Sequence, residues 1–414
     1  MCQSLPVPRF DAFRGARYDL NAERLGQVIA PPYDVVGPHE RDVLAHRSPN
    51  NAIHLELPEA ELGTGRDRYV VAADLLDSWL ERRILVEDAE PALYPYRMTA
   101  PDGTATVGVV GALAMSDDVL PHEETMPKPK SDRLDLLRAT GANLSPIWGL
   151  SLTEGMTETF APEGPPAEEA YDDDGVHHEL WVVDDPVVIA KVRAAVAASP
   201  VVIADGHHRY ETARAYRDEV RRANGDLSGD HDLVMAFMVE LTEAQLHVHA
   251  IHRIVSGLPE GTEPAGLLGG YFDAVHAGPA TERVVGALAS SGSLAAVTPL
   301  DAWLLTVRPG AFEDAGTDLE AGLVDLALRQ MPGAAVSYAA AWQEALGEVT
   351  AGRSQLALLL RPVTVPQISA WARGRRRMPP KTTYFSPKPR TGMVIRVLSG
   401  DTGPESVRSG SPIT

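Results

Sequence analysis

Val201-Val202-Ile203-Ala204 runs without a break into Asp205-Gly206-His207-His208-Arg209, and from there into Tyr210–Asn224, a stretch of good helix formers. Pro200 stops the helical segment over residues 187–198, so the four apolar residues that follow read as a short buried strand. Ala213, Ala215, Tyr216 and Val220 then supply one apolar face for the next helix. A strand that ends in Asp-Gly and passes directly into a helix sets polar side chains at its carboxyl end, where α/β folds hold ligands. The first amides of such a helix lack intrahelical acceptors and carry partial positive charge, which suits a phosphate. Asp205 taken alone reads equally well as a helix N-cap. Adjacent His207, His208 and Arg209 behind a buried strand have little use in packing, however, and the five residues together point to an active site.

Outward from this junction, helix and strand alternate. Leu233–Leu241 is a second strongly apolar strand, and residues 72–79 carry apolar side chains at helical spacing before the strand-like Ile84–Val86. Leu93–Thr99 and Thr106–Met115 flank Asp102-Gly103, which predicts an antiparallel hairpin. Ala161–Gly175 is rich in Pro, Glu, Asp and Gly without an apolar period and reads as a loop. The pattern predicts an α/β, or α+β, protein with a mixed sheet. Gly and Pro cluster between Gly257 and Glu263. The expected organisation is therefore a site-bearing region over residues 1–258, a C-terminal α/β region over 259–399 and a flexible tail over 400–414.

Composition removes several function classes. Among 414 residues, 37 Lys and Arg stand against 57 Asp and Glu, and the net charge of −20 would repel a nucleic-acid backbone. Cys2, the one cysteine, forms no internal disulfide and fits a reducing compartment. The N-terminal stretch lacks the apolar core of a signal peptide, and no run of about 18 apolar residues occurs, so a cytoplasmic protein without a membrane partner is expected.

Other clusters are more ambiguous by themselves. Pro31-Pro32-Tyr33-Asp34 follows the strand-like Val28-Ile29-Ala30 and reads as readily as a stiff surface turn as part of a pocket. His122-Glu123-Glu124 through Lys128, Lys130, Asp132 and Arg133 is dense in charge and interrupted by Pro127 and Pro129. It is solvated surface or a loop able to bend over a ligand. His247, His249 and His252 invite a metal reading, because alternate strand residues share a face, but no carboxylate or thiolate lies beside them. The basic run Arg373–Arg377 reads as solvated surface rather than a nucleic-acid contact, and Lys388, set between two prolines, is the stronger ligand candidate.

The segment Ile203–Ala213 resembles the hallmark of the family catalogued as domain of unknown function 1015. So do Ala30–Val35, His122–Thr125, Asp132-Arg133-Leu134 with Asn143–Ile147, and Thr383–Phe385 with Pro387-Lys388. The resemblance spans most of the chain and carries no activity with it. It favours Tyr33, Asp34, Glu123, Asp132 and Arg133 as pocket residues, and His252-Arg253 also matches its pattern. A more distant likeness bears on chemistry. Asp205-Gly206-His207, followed by Arg209, is similar to the archaeal free-serine kinases, members of the partition-protein-B (ParB) and sulfiredoxin superfamily. That likeness implies a ParB/sulfiredoxin-like core with family-specific additions, phosphate contacts from Gly206, His207, His208 and Arg209, and Asp205 facing an acceptor hydroxyl. Glu123 or Glu124 would stand for the kinases' catalytic glutamate. Sulfiredoxin's nucleophilic cysteine would fall at His207, which excludes sulfinic-acid repair.

These readings predict a nucleotide-dependent phosphotransferase acting on the hydroxyl of a small metabolite such as free serine. ATP or ADP is the expected donor, with Mg²⁺ as cofactor and Asp205 as a candidate ligand for it. Catalysis falls to Asp205, His207 and Glu123, and phosphate or nucleotide binding to Gly206, His208, Arg209, Arg133 and Lys388. Substrate contacts fall to Tyr33, Asp34, Asp132, His252 and Arg253. No Walker-type Gly-rich loop occurs, which sets the chain apart from P-loop enzymes. The same site without turnover would make a nucleotide-binding regulator, and run backwards it would make a phosphatase. Arg209 is expected to be dispensable for folding, and residues 122–133 to form a mobile loop that closes on the ligand.

Overall fold

Nine of the described strands assemble into one mixed sheet. A computed structural model describes residues 8–19, 25–61, 65–121, 130–259, 261–331 and 333–398. In chain order the strands of this sheet are β1 (Phe10–Asp11), β2 (Tyr94–Thr99), β3 (Ala105–Ala114), β4 (Val119–Pro121), β5 (Ile147–Ser151), β6 (Glu168–Tyr171), β7 (His177–Leu180), β8 (Val201–Asp205) and β9 (Leu233–Glu240). They lie in the order β4-β8-β5-β9-β3-β2-β7-β6, with β1 paired to β3. β8 runs parallel to β4 and antiparallel to β5, while β9 runs parallel to β5 and antiparallel to β3. The fold is mixed α/β, with thirteen α-helices among the described residues.

Four of these helices support the region around β8: α1 (Arg68–Glu81), α2 (Lys130–Thr140), α3 (Pro186–Ala197) and α4 (His207–Asn224). Short polar side chains start two of them. Asp67 accepts the Tyr69 N–H at 2.8 Å, and Asp185 accepts the Val187 N–H at 2.8 Å with Pro186 in the first turn. The core packs Val201 and Ile203 of β8 and Ala236 and Met238 of β9 with Val192 and Val196 of α3 and Tyr210 and Ala213 of α4. β8 and β9 are buried on both faces, which explains why their sequences are continuously apolar rather than alternating.

The acidic stretch 161–175 is not all loop, because it contains β6, paired antiparallel with β7. Along β6, Glu168 and Ala170 are buried and Glu169 and Tyr171 exposed. Glu168 meets Arg17 at 2.5 Å, so a charged residue fills an inward position and hides the alternation.

The chain divides into two compact units, one reaching to Leu246 and taking in the chain from Pro387, the other spanning His247–Ser386. The sequence boundary at 258/259 lies beyond this division, because His252–Ser256 is a strand of the second unit's own six-stranded sheet, between Leu356–Leu359 and Ala335–Ala339. Residues from Pro387 return to the first unit, where Ile395–Val397 pairs with Gly15–Tyr18 and with Ala142–Asn143. Residues 400–414, read as a tail, lie outside the described residues, as does Cys2. No described helix is long and apolar enough to cross a membrane.

Candidate active site

The strand-to-helix junction is shaped by two backbone irregularities. Register between β8 and β5 shifts between Ile203 and Asp205, a bulge that re-aims the last side chain of the strand. Gly206 then adopts φ 84°, and a Cβ there would lie 3.1 Å from the Ile147 Cα and 3.1 Å from the Arg209 guanidinium. Gly206→Ala should therefore cost about 1–2 kcal/mol for the left-handed backbone alone, and more for the displaced arginine. Urea denaturation measures it; a loss under about 0.5 kcal/mol would mean that the turn is relaxed.

Gly206, not Asp205, is the N-cap of α4, and no side chain caps this helix start or places an acid in its first turn. Asp205 instead accepts from Arg209 Nη2 at 2.7 Å and from Lys388 Nζ at 2.5 Å. Arg209 also donates to the Pro146 carbonyl, and its side chain is only 11% exposed. The expectation that Arg209 is dispensable for folding is thus corrected: the bulged strand end and the β5 approach close over it. His207 and His208 stand half-buried in the first turn.

Lys388 is 7% exposed and reaches Asp34 at 3.2 Å as well as Asp205. Burial alone would lower its pKa, but the two carboxylates outweigh burial and raise it above the ordinary lysine value, so the ammonium stays charged. Tyr33 packs its ring 4.3 Å from the Arg133 guanidinium, and burial pushes its phenol up to about 12, which keeps it a neutral hydrogen-bond donor. Arg133 donates to the Glu56 carbonyl at 2.7 Å and twice to Asp132 Oδ2, at 2.8 and 2.6 Å. Asp132 is further held by Arg68 at 2.6 Å and Tyr69 at 2.8 Å, so both of its oxygens are engaged by neighbouring side chains.

The fold therefore gathers Tyr33, Asp34, Arg133, Asp205, Arg209 and Lys388 in one unit. Asp132 and Arg133 lie on α2 rather than on a mobile loop, and the part of the predicted loop from 122 to 129 lies outside the described residues. His122, Glu123 and Glu124 lie outside the described residues. His252 and Arg253 belong to the second unit. There Arg253 is fully buried and donates to Asp325 at 3.1 Å and to the Ile251 and Lys381 carbonyls at 2.8 and 2.6 Å. His252 accepts the Leu360 N–H at 3.2 Å, and burial lowers its pKa to about 4. His249 meets Ser386 Oγ at 2.6 Å. Among the described residues, no three His, Cys, Asp or Glu side chains gather as a metal cage. Asp205 accepts from Arg209 and Lys388, and Asp34 from Lys388, so Mg²⁺ would reach either carboxylate only alongside these cations.

Sequence reasoning missed two features. Glu56, only 2% exposed, holds Ser145 Oγ at 3.1 Å beside Arg133; its signal was a carboxylate between Leu55 and Leu57 in an apolar stretch. Second, a buried polar network fixes the segment that carries Lys388. Arg390 donates to Asp172 through Nε at 2.8 Å and also through Nη2, His178 Nε2 meets the same carboxylate at 2.8 Å, and the Tyr96 hydroxyl lies 2.8 Å from His178 Nδ1. Thr391 pairs backbone to backbone with Ala30, which leads into Tyr33 and Asp34.

Burial would raise the Asp172 carboxyl, but His178 and Arg390 hold it well below the usual carboxylate range. A depressed carboxyl stabilises the fold above its unfolded pKa, about 3.9; that stability starts to drain away below this value and is gone only once pH has fallen through the depressed folded value. Asp172→Asn should cost about 3 kcal/mol at pH 7, and the gap from the parent should hold down to about pH 4 and then narrow steadily as urea melts are taken towards about pH 2. A gap independent of pH would show that charge is not what Asp172 contributes.

Comparison with known proteins adds a family and remote likenesses. The family model described as "Protein of unknown function (DUF1015)" matches residues 10–311. None of the curated proteins matches the sequence. Among solved structures, the chain is similar to a conserved hypothetical protein from Pyrococcus furiosus, at 13% identity and TM-score 0.38, covering 72% of this chain and 97% of that one. It is similar to a free serine kinase in complex with AMP, at 14% identity and TM-score 0.39, covering 70% of this chain and 91% of that one. It is also similar to SbnI with a C-terminal truncation from Staphylococcus aureus, at 12% identity and TM-score 0.37, covering 72% and 93%.

Proposed function

The chain belongs to the DUF1015 family, and from its site we propose that it is a nucleotide-dependent phosphotransferase acting on the hydroxyl of a small cytoplasmic metabolite. The observation that carries this reading is the meeting, at the end of one buried strand, of an uncapped helix start with Arg209 and Lys388, in a chain of net charge −20. Phosphoryl transfer needs positioning and stabilisation of the charge on the transferred group. The α4 amides and Arg209 suit the phosphate oxygens, Gly206 permits close approach, and Lys388 offers a permanent positive charge. The acceptor oxygen attacks the terminal phosphorus of ATP or ADP, the bond to the departing nucleotide breaks, and the hydroxyl proton passes to Asp205 or His207, with Glu123 a further candidate base. Mg²⁺ would supply charge neutralisation on the phosphates. Free serine is the acceptor suggested by the likeness of Asp205–Arg209 to the free-serine kinases.

A second reading has one observation in its favour. Asp205 is already engaged by two cations, so the site could hold nucleotide as a regulator without passing a proton. Incubating the purified chain with ATP or ADP, Mg²⁺ and a panel of hydroxyl metabolites separates the two. Transfer to one acceptor supports the enzyme, and tight nucleotide binding with no transfer supports the regulator. Release of phosphate from a phosphorylated acceptor, without nucleotide, would instead make the site a phosphatase.

A further inference from the structure

Beside Arg209, on the side of α2 and α4, lies a cavity of about 60 Å³ lined by Glu56, Arg133, Ser145, Arg209 and Thr212 over an apolar floor that includes Leu136 and Val234. By the measure in which one water takes about 10–15 Å³, it has room for roughly four to six heavy atoms. Its polar lining is not spent. Arg209 Nε and Thr212 Oγ1 are buried and make no hydrogen bond among the described residues. Glu56 accepts only the Ser145 hydroxyl at 3.1 Å there, with the nearest Arg133 nitrogen 4.0 Å away. By contrast, Arg133 is committed to Asp132 and the Glu56 carbonyl, and Asn143 to Met235 and Arg396. One cavity thus offers a buried carboxylate, a guanidinium N–H and a hydroxyl, each with capacity left. Buried polar groups of this kind are retained for a partner, and opposite charges on one small cavity select a ligand that carries both signs.

We propose that this cavity is the pocket for the α-amino-acid head of the phosphate acceptor. Glu56 receives its ammonium, and Arg209 Nε with Thr212 Oγ1 receives its carboxylate. A carboxylate, one carbon and an ammonium match the room available. Arg209 spans from this cavity to Asp205, so the side-chain hydroxyl of the bound amino acid is directed to the phosphate end of the site. That the bound molecule is an acceptor rests on the phosphotransferase reading; the binding of the head group does not.

The test is calorimetric titration of the full chain, without nucleotide, with L-serine, L-threonine and L-homoserine. 3-Hydroxypropanoate, which lacks the ammonium, and ethanolamine, which lacks the carboxylate, are the controls. At least one amino acid is expected to bind about tenfold or more tightly than both controls. Glu56→Gln should weaken that amino acid about tenfold or more and leave 3-hydroxypropanoate unchanged. Thr212→Val, of equal shape and neutral, should weaken the amino acid and 3-hydroxypropanoate alike while sparing ethanolamine, and it carries the test should Glu56→Gln not fold. Absence of binding by all three amino acids overturns the pocket, as does an unchanged affinity in both variants. A chain that binds the amino acid in this pattern yet transfers no phosphate keeps the pocket and loses the kinase reading.

Discussion

Arg209→Ala is expected to lose phosphate transfer by about a hundredfold or more and to lose about 3 kcal/mol of stability with it. The functional loss follows from removing a charge-assisted contact that strengthens as charge develops on the transferred group. The stability loss follows from the buried setting: without the guanidinium, the Pro146 carbonyl and one Asp205 oxygen lose their donor. Because one substitution moves both quantities, Arg209→Lys is needed beside it. Lysine keeps the positive charge but not the planar fork that serves Asp205, Pro146 and a phosphate together. It should recover most of the stability and little of the transfer. Melting temperature and initial rate, measured on the same preparations, read the two effects. Parent-like turnover in Arg209→Lys would remove Arg209 from the phosphate site and leave it a purely structural residue.

Lys388→Met is expected to have the second large effect. The ammonium is buried between Asp205 and Asp34, so its removal leaves two carboxylates facing each other without their shared cation. Breaking a buried pair in this way costs about 3–5 kcal/mol. Transfer should fall by about a hundredfold, because the charge next to the attacking hydroxyl and the orientation of Asp205 both disappear. The pH signature is specific. The folded pKa of Lys388 lies above its unfolded value, so its stabilisation is fully present below about pH 10.4 and is lost as pH rises through the folded value. The stability gap between parent and variant should therefore be widest near pH 8 and narrow above about pH 10.4. Urea melts across that range check it; a gap that stays constant to pH 12 would mean that Lys388 acts through packing.

What was legible in the sequence depended on how local the cause was. The β8–α4 junction was legible because one continuous segment specifies it: an apolar run, a glycine and a set of helix formers. The hairpin of β2 and β3 was legible for the same reason, with Gly103 at φ 87° in its turn. Lys388 was a ligand candidate by its proline setting and Tyr33-Asp34 an open one, but no local pattern joined them to the junction, since Lys388 reaches Asp34 across 354 positions and Asp205 across 183. The burial of Arg209 was hidden because its acceptor, the Pro146 carbonyl, comes from 63 positions away. The Asp172–Arg390 pair, 218 positions apart, gave no signal, because a buried ion pair looks like two surface charges until the chain folds. Strand β6 was hidden because a carboxylate, Glu168, occupies an inward position that a pattern reader expects to be apolar.

Phosphate is expected to move from nucleotide to a hydroxyl at Asp205–Arg209. The check is ³¹P NMR of the purified chain with ATP or ADP, Mg²⁺ and L-serine in a single tube, run beside an Asp205→Asn sample. The predicted result is a phosphomonoester signal of phosphoserine that grows as the nucleotide's terminal phosphate signal declines, and that is absent with Asp205→Asn. Nucleotide signals that shift on binding but never decline, or phosphoserine formed equally well by the Asp205→Asn chain, would rule out phosphate transfer at this junction.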